Sequence, residues 1–193
     1  MYRKNRIDMN RTDILNQIQK NVERLSASDL PEYKYIPLHQ KPSPSVLSLR
    51  EVMLLLRKVI FPGFFGSEQE AQVDSIQYYT GVYLEQIYDL LHEQIYNGLC
   101  FEVDRCCDSK DRASRIAIDF INKIPHIKYL LLTDVKAILD GDPAAKSLSE
   151  IIFCYPAVHA ILHQRVAHEL LKLGVPVLPR IITEMAHSET GID

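Results

Sequence analysis

The residues best suited to chemistry lie in the last third of this 193-residue chain. Asp142 follows a glycine and precedes a proline, which favours a turn whose carboxylate accepts hydrogen bonds from exposed amides of the next helix. Further along, His159 and His163 are four residues apart, so both rings would lie on one helical face and could share a metal ion. His168 would lie on the opposite side of that helix. Two ligands do not make a metal site, and we predict none; a metal or ligand carrier remains an alternative that depends only on the histidine pair.

A structural role is the other interpretation of this helix. Neutral His159 and His168 would pack or hydrogen-bond between helices and satisfy buried backbone groups. Arg165 would pair with a carboxylate or with helix carbonyls across an interface. We therefore assign His159, Arg165 and His168 structural rather than catalytic roles.

Helical periodicity runs through nearly all of the chain, and no segment alternates strictly enough to predict a strand. Capping-box patterns at Ser48 and Ser67 predict two helix starts, and Pro125 suits the first turn of another helix. The predicted fold is all-α. Its helices are expected at residues 9–27, 48–61, 67–96, 110–122, 126–140, two within 147–173 that are separated near Pro156, and 176–186.

The N-terminal region differs from the rest in composition. Residues 9–27 carry one apolar stripe on an otherwise polar helix, formed by Ile14, Ile18, Val22 and Leu25, which predicts a surface helix or an assembly contact. Prolines within residues 32–45 exclude a helix interior there and indicate an extended connector.

Charge and hydropathy narrow the class of protein. The 22 basic and 25 acidic residues give a net charge of −3 without a basic stripe, so nucleic acid is not an expected partner. The longest apolar run is too short to span a bilayer, and the charged N-terminus lacks a signal-peptide core. We expect a soluble cytoplasmic protein with no membrane partner. The four cysteines are expected to be free thiols.

Three motifs in order carry a family resemblance. They are Asp134-x2-Ala137-x4-Asp142-Pro143-Ala144, then His159-x5-Arg165-x2-His168, then Gly191-Ile192-Asp193 at the end of the chain. This series resembles serine O-acetyltransferases, in which an all-α N-terminal domain precedes a hexapeptide-repeat left-handed β-helix. The resemblance implies three regions: an N-terminal helix with a proline-rich connector (1–45), the helical acetyltransferase domain (46–190), and the first residues of a β-helix that is otherwise absent (191–193).

The resemblance also implies site residues. Asp142 would be substrate-binding, because the family's matching carboxylate lies in the serine pocket and suits the substrate's ammonium group. Asp193 would be catalytic, because the family's matching aspartate orients a downstream histidine that takes the serine hydroxyl proton. Gly141 departs from the pattern, since many members have arginine there.

The implied activity is acetyl transfer from acetyl-CoA to L-serine, giving O-acetylserine for cysteine biosynthesis. Acetyl-CoA would be a co-substrate, with no cofactor bound by this segment, and the chain alone would be inactive because the coenzyme groove and the base would lie beyond it. The family implies a homo-oligomer, either a trimer or a dimer of trimers, and contact with cysteine synthase through a C-terminal tail absent here. The alternative function is a non-catalytic helical module that associates with itself or with a full-length relative through the apolar faces of residues 9–27 and 67–96.

Overall fold

The computed structural model describes residues 10–27, 41–101 and 109–192. Every helix or strand element in these ranges is an α-helix, so the predicted all-α fold is confirmed. The helices are α1 (Arg11–Ser26), α2 (Val46–Ile60), α3 (Val73–Phe101), α4 (Ser109–Ile121), α5 (Ile124–Gly141), α6 (Leu148–Cys154), α7 (Pro156–Lys172) and α8 (Leu178–Thr190). None of the helices in the described ranges combines the length and apolar character needed to cross a membrane.

The chain divides into two compact units, residues 1–40 and 41–193. In the first unit, Asn10 caps α1 by accepting a hydrogen bond from the Thr12 amide at 3.3 Å. None of the apolar side chains of α1 is buried, and the side chains of the predicted stripe are 42–77% exposed. Most of the predicted proline-rich connector falls outside the described residues.

The second unit has one hydrophobic core shared by helices α2 to α8. Helix α2 packs against α3 and α8, α4 packs against α3, and α7 packs against α8 and α5. The largest side chains that are fully buried include Leu56, Ile87, Phe120, Leu131 and Leu162. Each such side chain contributes about 1.5–3 kcal/mol relative to leaving it in water. The core thereby holds the ends of α5, α6 and α7 in fixed relation.

Two predicted helix starts are wrong in detail. Helix α2 begins at Val46, because Ser45 rather than Ser48 is the cap and its hydroxyl accepts from the Ser48 amide at 3.2 Å. The pattern at Ser67 does form its local bond, from the Glu70 amide to the serine hydroxyl at 3.4 Å, but it closes a turn and α3 begins only at Val73. A capping box satisfies amides equally well in an isolated turn.

A strained turn joins α7 to α8. Gly174 adopts φ +74° and ends α7, with its amide bonded to Leu171 O and the Val175 amide bonded to Leu170 O. Val177 then adopts φ 64° and ψ −50°, which is rare for a β-branched residue, and its neighbours close a three-residue turn. A glycine of α3, Gly98, lies against this turn.

The cysteines do not all follow the expectation. Cys154 is an exposed free thiol, as predicted, whereas Cys100 is disulfide-bonded, so the prediction of free thiols is wrong at that position. Cysteine count and composition carry no information on which thiols the fold brings together.

Candidate functional site

Asp142 lies at the carboxyl end of α5, where the chain leaves the helix. Its backbone is extended, with φ −105° and ψ 107°, and its amide still donates to Ile138 O at 2.9 Å. Pro143 follows and prevents the helix from continuing. The side chain is half-buried, so the carboxylate remains within reach of a solute.

Both oxygens of the Asp142 carboxylate are held by hydrogen bonds. Oδ1 accepts from the Ala144 amide at 2.8 Å, and Oδ2 accepts from the Tyr155 hydroxyl at 2.9 Å. This bond to the Asp142 carboxylate raises the pKa of Tyr155, because ionising the phenol would place two negative charges together. A carboxylate can accept about four hydrogen bonds, so each oxygen keeps a site for a cationic ligand.

Tyr155 owes its position to the proline after it. A residue before proline is restricted to extended backbone, and Tyr155 has φ −83° and ψ 119° between α6 and α7. Its amide donates to Ile151 O at 3.1 Å, which ends α6, while Pro156 begins α7. The ring packs on the edge of the core.

An arginine–aspartate pair joins the two helices of this region. From α7, Arg165 Nε donates to Asp134 Oδ2 at 2.8 Å, and a terminal guanidinium nitrogen donates to Oδ1 at 2.8 Å. Both side chains are about three-quarters buried, with 26% and 24% exposed. This two-point contact fixes α5, which ends at Asp142, against α7, which begins beside Tyr155.

His159 links α7 to the last turn of α8. Its Nε2 donates to Glu189 Oε2 at 2.7 Å, and Arg50 of α2 approaches the other oxygen, Oε1, at 3.4 Å. The predicted contact between helices is present, but the partner is a carboxylate rather than a buried backbone group. Glu189 is the last residue but one of α8, so the bond fixes the chain shortly before Gly191.

His163 is the most deeply buried histidine in the described chain, with 1% of its surface exposed. Burial lowers its pKa to about 4, assisted by the nearby charges of His159 and Arg57. Its Nδ1 lies 2.9 Å from His159 O, and because a carbonyl only accepts, Nδ1 carries the proton. Because its pKa is about 4, the ring is neutral near pH 7, and Nε2 is then the nitrogen without a proton.

The remaining predicted residues are placed differently. His168 is exposed on α7, and within the described ranges its ring makes no hydrogen bond or ion pair, so the expected packing between helices is wrong for this residue. The buried side of α7 instead passes through residues such as Leu162, Val166 and Leu170. Asp193 lies outside the described residues, and its catalytic role stays a prediction.

The histidine pair gains a third possible metal ligand from α8. Ligand atoms of His159, His163 and Glu189 all lie within 4.8 Å of one another. Two guanidinium groups oppose a dication here: Arg50 is paired with Glu189, and Arg57 acts by charge on both Glu189 and His163. Glu189 is also already engaged by His159 and Arg50. The geometry suits a cross-link of α2, α7 and α8 better than a metal centre.

Several partners were not found by sequence reasoning. Tyr155 and Glu189 carried no motif, and the pairing of Arg165 with Asp134 spans 31 residues. The only sequence feature that could have pointed to Tyr155 is the proline after it. That proline predicts extended backbone at the tyrosine but not the direction of its side chain.

These contacts define the class of protein. It is an all-α domain in which the Asp142 carboxylate, hydrogen-bonded on both oxygens, lies at the junction of α5, α6 and α7. Such a group can bind and orient an ammonium ion. No profile of a known protein family matches the chain.

The known proteins that this chain resembles are serine acetyltransferases. A serine acetyltransferase of Synechococcus elongatus, described as plasmid-borne, is 38% identical over 202 residues, which cover 99% of this chain and 61% of that protein. A serine acetyltransferase of Synechocystis is 41% identical over 63 residues, or 33% of this chain and 25% of that protein. The crystal structure of Entamoeba histolytica serine acetyltransferase 1 in complex with L-cysteine superposes with a TM-score of 0.62 and 30% identity, covering 80% of this chain and 51% of that one.

The chain is therefore similar to serine acetyltransferases along almost its whole length, and its all-α fold matches their N-terminal domain. The resemblance read from the motifs is confirmed. The chain spans about three fifths of the length of the Synechococcus elongatus relative and a quarter to a third of the next relatives.

Proposed function

We propose that this chain is the helical part of a serine O-acetyltransferase and supplies the carboxylate that binds the ammonium group of L-serine. The observation that carries the proposal is the Asp142 carboxylate, held at 2.8 Å and 2.9 Å on its two oxygens and retaining acceptor sites on both. A preorganised carboxylate binds an ammonium group without having to be ordered first. The 38% identity to a serine acetyltransferase over 99% of the chain supports the same assignment.

In the proposed reaction, the serine hydroxyl attacks the thioester carbonyl of acetyl-CoA and gives O-acetylserine and free coenzyme A. Asp142 would hold the ammonium group so that the hydroxyl faces the acetyl carbon. Asp193 would orient the histidine that removes the hydroxyl proton. Acetyl-CoA is a co-substrate in this proposal, and the helical segment binds no cofactor and no metal.

The test is serine-dependent release of coenzyme A from acetyl-CoA, measured with a thiol reagent. The 193-residue chain is compared with the same chain joined to the part of the Synechococcus elongatus relative that follows the aligned region. We expect turnover only in the joined protein, because the chain corresponds to 61% of that relative. The unaltered relative is the positive control for the assay.

Two results would count against the proposal. A joined protein that sediments as a folded assembly but releases no coenzyme A with L-serine would remove the assigned activity. Turnover by the 193-residue chain alone would contradict its role as an incomplete part of the enzyme.

The metal alternative has its own measurement. Because two arginines surround Glu189, we expect calorimetric titration of the purified chain with Zn²⁺ to show no saturable site with a dissociation constant below about 10 µM, an affinity of about 7 kcal/mol. Saturable binding that disappears in His163→Gln would restore the metal-carrier interpretation.

A self-associating module is the second candidate, and one observation favours it. The α1 stripe is exposed along its length, with Ile18 at 54% and Val22 at 50%. We propose that the protein forms a homo-oligomer in the cytoplasm and that α1 contributes to the contact. Light scattering should show a larger assembly for the unaltered chain than for Ile18→Asp. The matched control Gln17→Asp should assemble like the unaltered chain. Equal masses for all three proteins would exclude α1 from the contact.

The proposed cytoplasmic location is tested by cell fractionation.

A further inference from the structure

The hydroxyl of Tyr155 is the only side-chain donor to Asp142 in the described parts of the chain. It comes from the junction of α6 and α7, whereas the other donor, the Ala144 amide, belongs to the turn that contains Asp142 itself. A local amide restrains Oδ1 but leaves the carboxylate free to rotate about that bond. The second contact, from a different part of the fold, removes this freedom.

The position of Tyr155 is itself well determined. Pro156 restricts its backbone, its amide is bonded to Ile151 O, and its ring packs on the core. Because Tyr155 is already restrained, its hydrogen bond to Asp142 costs little additional conformational entropy. The core thus sets the direction of the Asp142 carboxylate through Tyr155.

We propose that Tyr155 is a positioning residue for substrate recognition: its hydroxyl fixes the plane of the Asp142 carboxylate so that the remaining acceptor sites meet the ammonium group of an amino-acid substrate in one orientation. This inference rests on the proposed function, and it assigns to Tyr155 a role that acts through Asp142 without contact with the substrate. Loss of the hydroxyl then weakens the binding of the amino acid, because part of the binding energy is spent on orienting the carboxylate. Binding of the acyl donor is unaffected.

The test uses Tyr155→Phe, which removes one oxygen and keeps the ring, in the joined protein described above. We expect the KM for L-serine to rise about 3- to 10-fold, the loss of part of one charge-assisted hydrogen bond. The KM for acetyl-CoA should stay the same and kcat should change less than twofold. Tyr129→Phe is the matched control, since that tyrosine is 62% exposed on α5, and its constants should equal those of the unaltered protein.

A second comparison separates positioning from other effects. In an Asp142→Ala background the tyrosine has no carboxylate to hold, so Tyr155→Phe should cause no further rise in the KM for L-serine. An unchanged KM in the single variant, or an equal additional rise in the Asp142→Ala background, overturns the positioning role while leaving the acetyltransferase assignment intact. Absence of turnover in the folded, unaltered joined protein overturns both.

The crystal structure of the Tyr155→Phe chain gives a readout that does not depend on activity. We expect the Asp142 side chain to occupy more than one rotamer while the backbone of α5 and α7 is unchanged. A single, unaltered carboxylate orientation would contradict the proposal.

Discussion

A hydrogen bond between a phenol and a carboxylate couples the titration of Tyr155 to Asp142. Because Asp142 raises the pKa of Tyr155, Asp142→Asn should lower that pKa towards its ordinary value of 10.0. NMR or absorbance titration of the 193-residue chain measures this directly. The stability from the bond is present below the pKa of the unfolded tyrosine and is lost as the pH rises through the higher folded value. An equal Tyr155 pKa in both proteins would mean that the bond is absent in solution.

Buried His163 predicts a loss of stability in mild acid. Its folded pKa of about 4 lies below the ordinary 6.5, so the unfolded chain takes up the proton first as the pH falls. Stability therefore falls between about pH 6.5 and 4, by up to about 3 kcal/mol from this group. Urea unfolding at pH 7 and pH 4.5 should show a smaller loss for His163→Gln than for the unaltered chain.

Exposed His168 provides the control for that experiment, because it lies on the same helix and His168→Gln should keep the full loss of stability. Carboxylates that titrate between about pH 4 and 6.5 change the stability of the unaltered chain, His163→Gln and His168→Gln by the same amount, so they do not affect the comparison. Equal pH dependence in His163→Gln and the unaltered chain would show that folding leaves the pKa of His163 unchanged and would contradict the lowered value.

At the scale of the elements, the Arg165–Asp134 pair holds α5 against α7. Arg165→Lys keeps the charge but loses the two-point geometry, so we expect a loss of about 1 kcal/mol in the free energy of unfolding. A double-mutant cycle with Asp134→Asn should recover most of that value as coupling energy. Exposed Arg180, which pairs with Glu184 within α8, offers the control Arg180→Lys, expected to cost less than about 0.5 kcal/mol. Additive effects of Arg165→Lys and Asp134→Asn would contradict the assignment.

Substitution by alanine is expected to have opposite effects on stability at two glycines of α3, Gly98 and Gly81. A Cβ at Gly98 would lie 2.7 Å from Leu178 Cδ1 and 3.1 Å from Pro176 O, so Gly98→Ala should destabilise the contact with the α7–α8 turn by about 1–3 kcal/mol. Gly81 meets nothing within 4 Å, and Gly81→Ala should stabilise by about 0.5–1 kcal/mol through helix propensity. Thermal unfolding of both variants checks the pair. Equal shifts in the two proteins would show that Gly98 is not in close contact.

Sequence reasoning predicted the helices well and their contacts poorly. Breaks at Pro156 and Gly174 were predicted because proline and glycine act on their own backbone, and the structure confirms both. The start of α3 was missed because a capping pattern also stabilises an isolated turn. Side-chain pairs between helices depend on packing angles that no local pattern encodes, so Tyr155 and Glu189 were missed as partners.

For the whole molecule, the fold shows how a helical domain could present the proposed serine-binding carboxylate. The core fixes α5, α6 and α7, and the polar contacts at their junction hold one carboxylate in place. His159 and Arg50 hold the last turn of α8 through Glu189, just before the Gly191-Ile192-Asp193 motif. The fold thus holds the Asp142 turn and the end of α8, and the family resemblance assigns Asp142 and the motif that follows α8 to one site.

The most direct measurement is the dependence of coenzyme A release on L-serine concentration in the joined protein and its Asp142→Asn variant. Asparagine keeps the shape of the side chain but removes the charge that attracts the ammonium group. We expect the KM for L-serine to rise at least about tenfold, equivalent to about 1.4 kcal/mol, with the KM for acetyl-CoA unchanged. Asp140→Asn, which removes an exposed carboxylate paired with Lys136, is the control and should leave both constants unchanged. An unaltered serine KM in Asp142→Asn would contradict the central claim that this carboxylate binds the substrate.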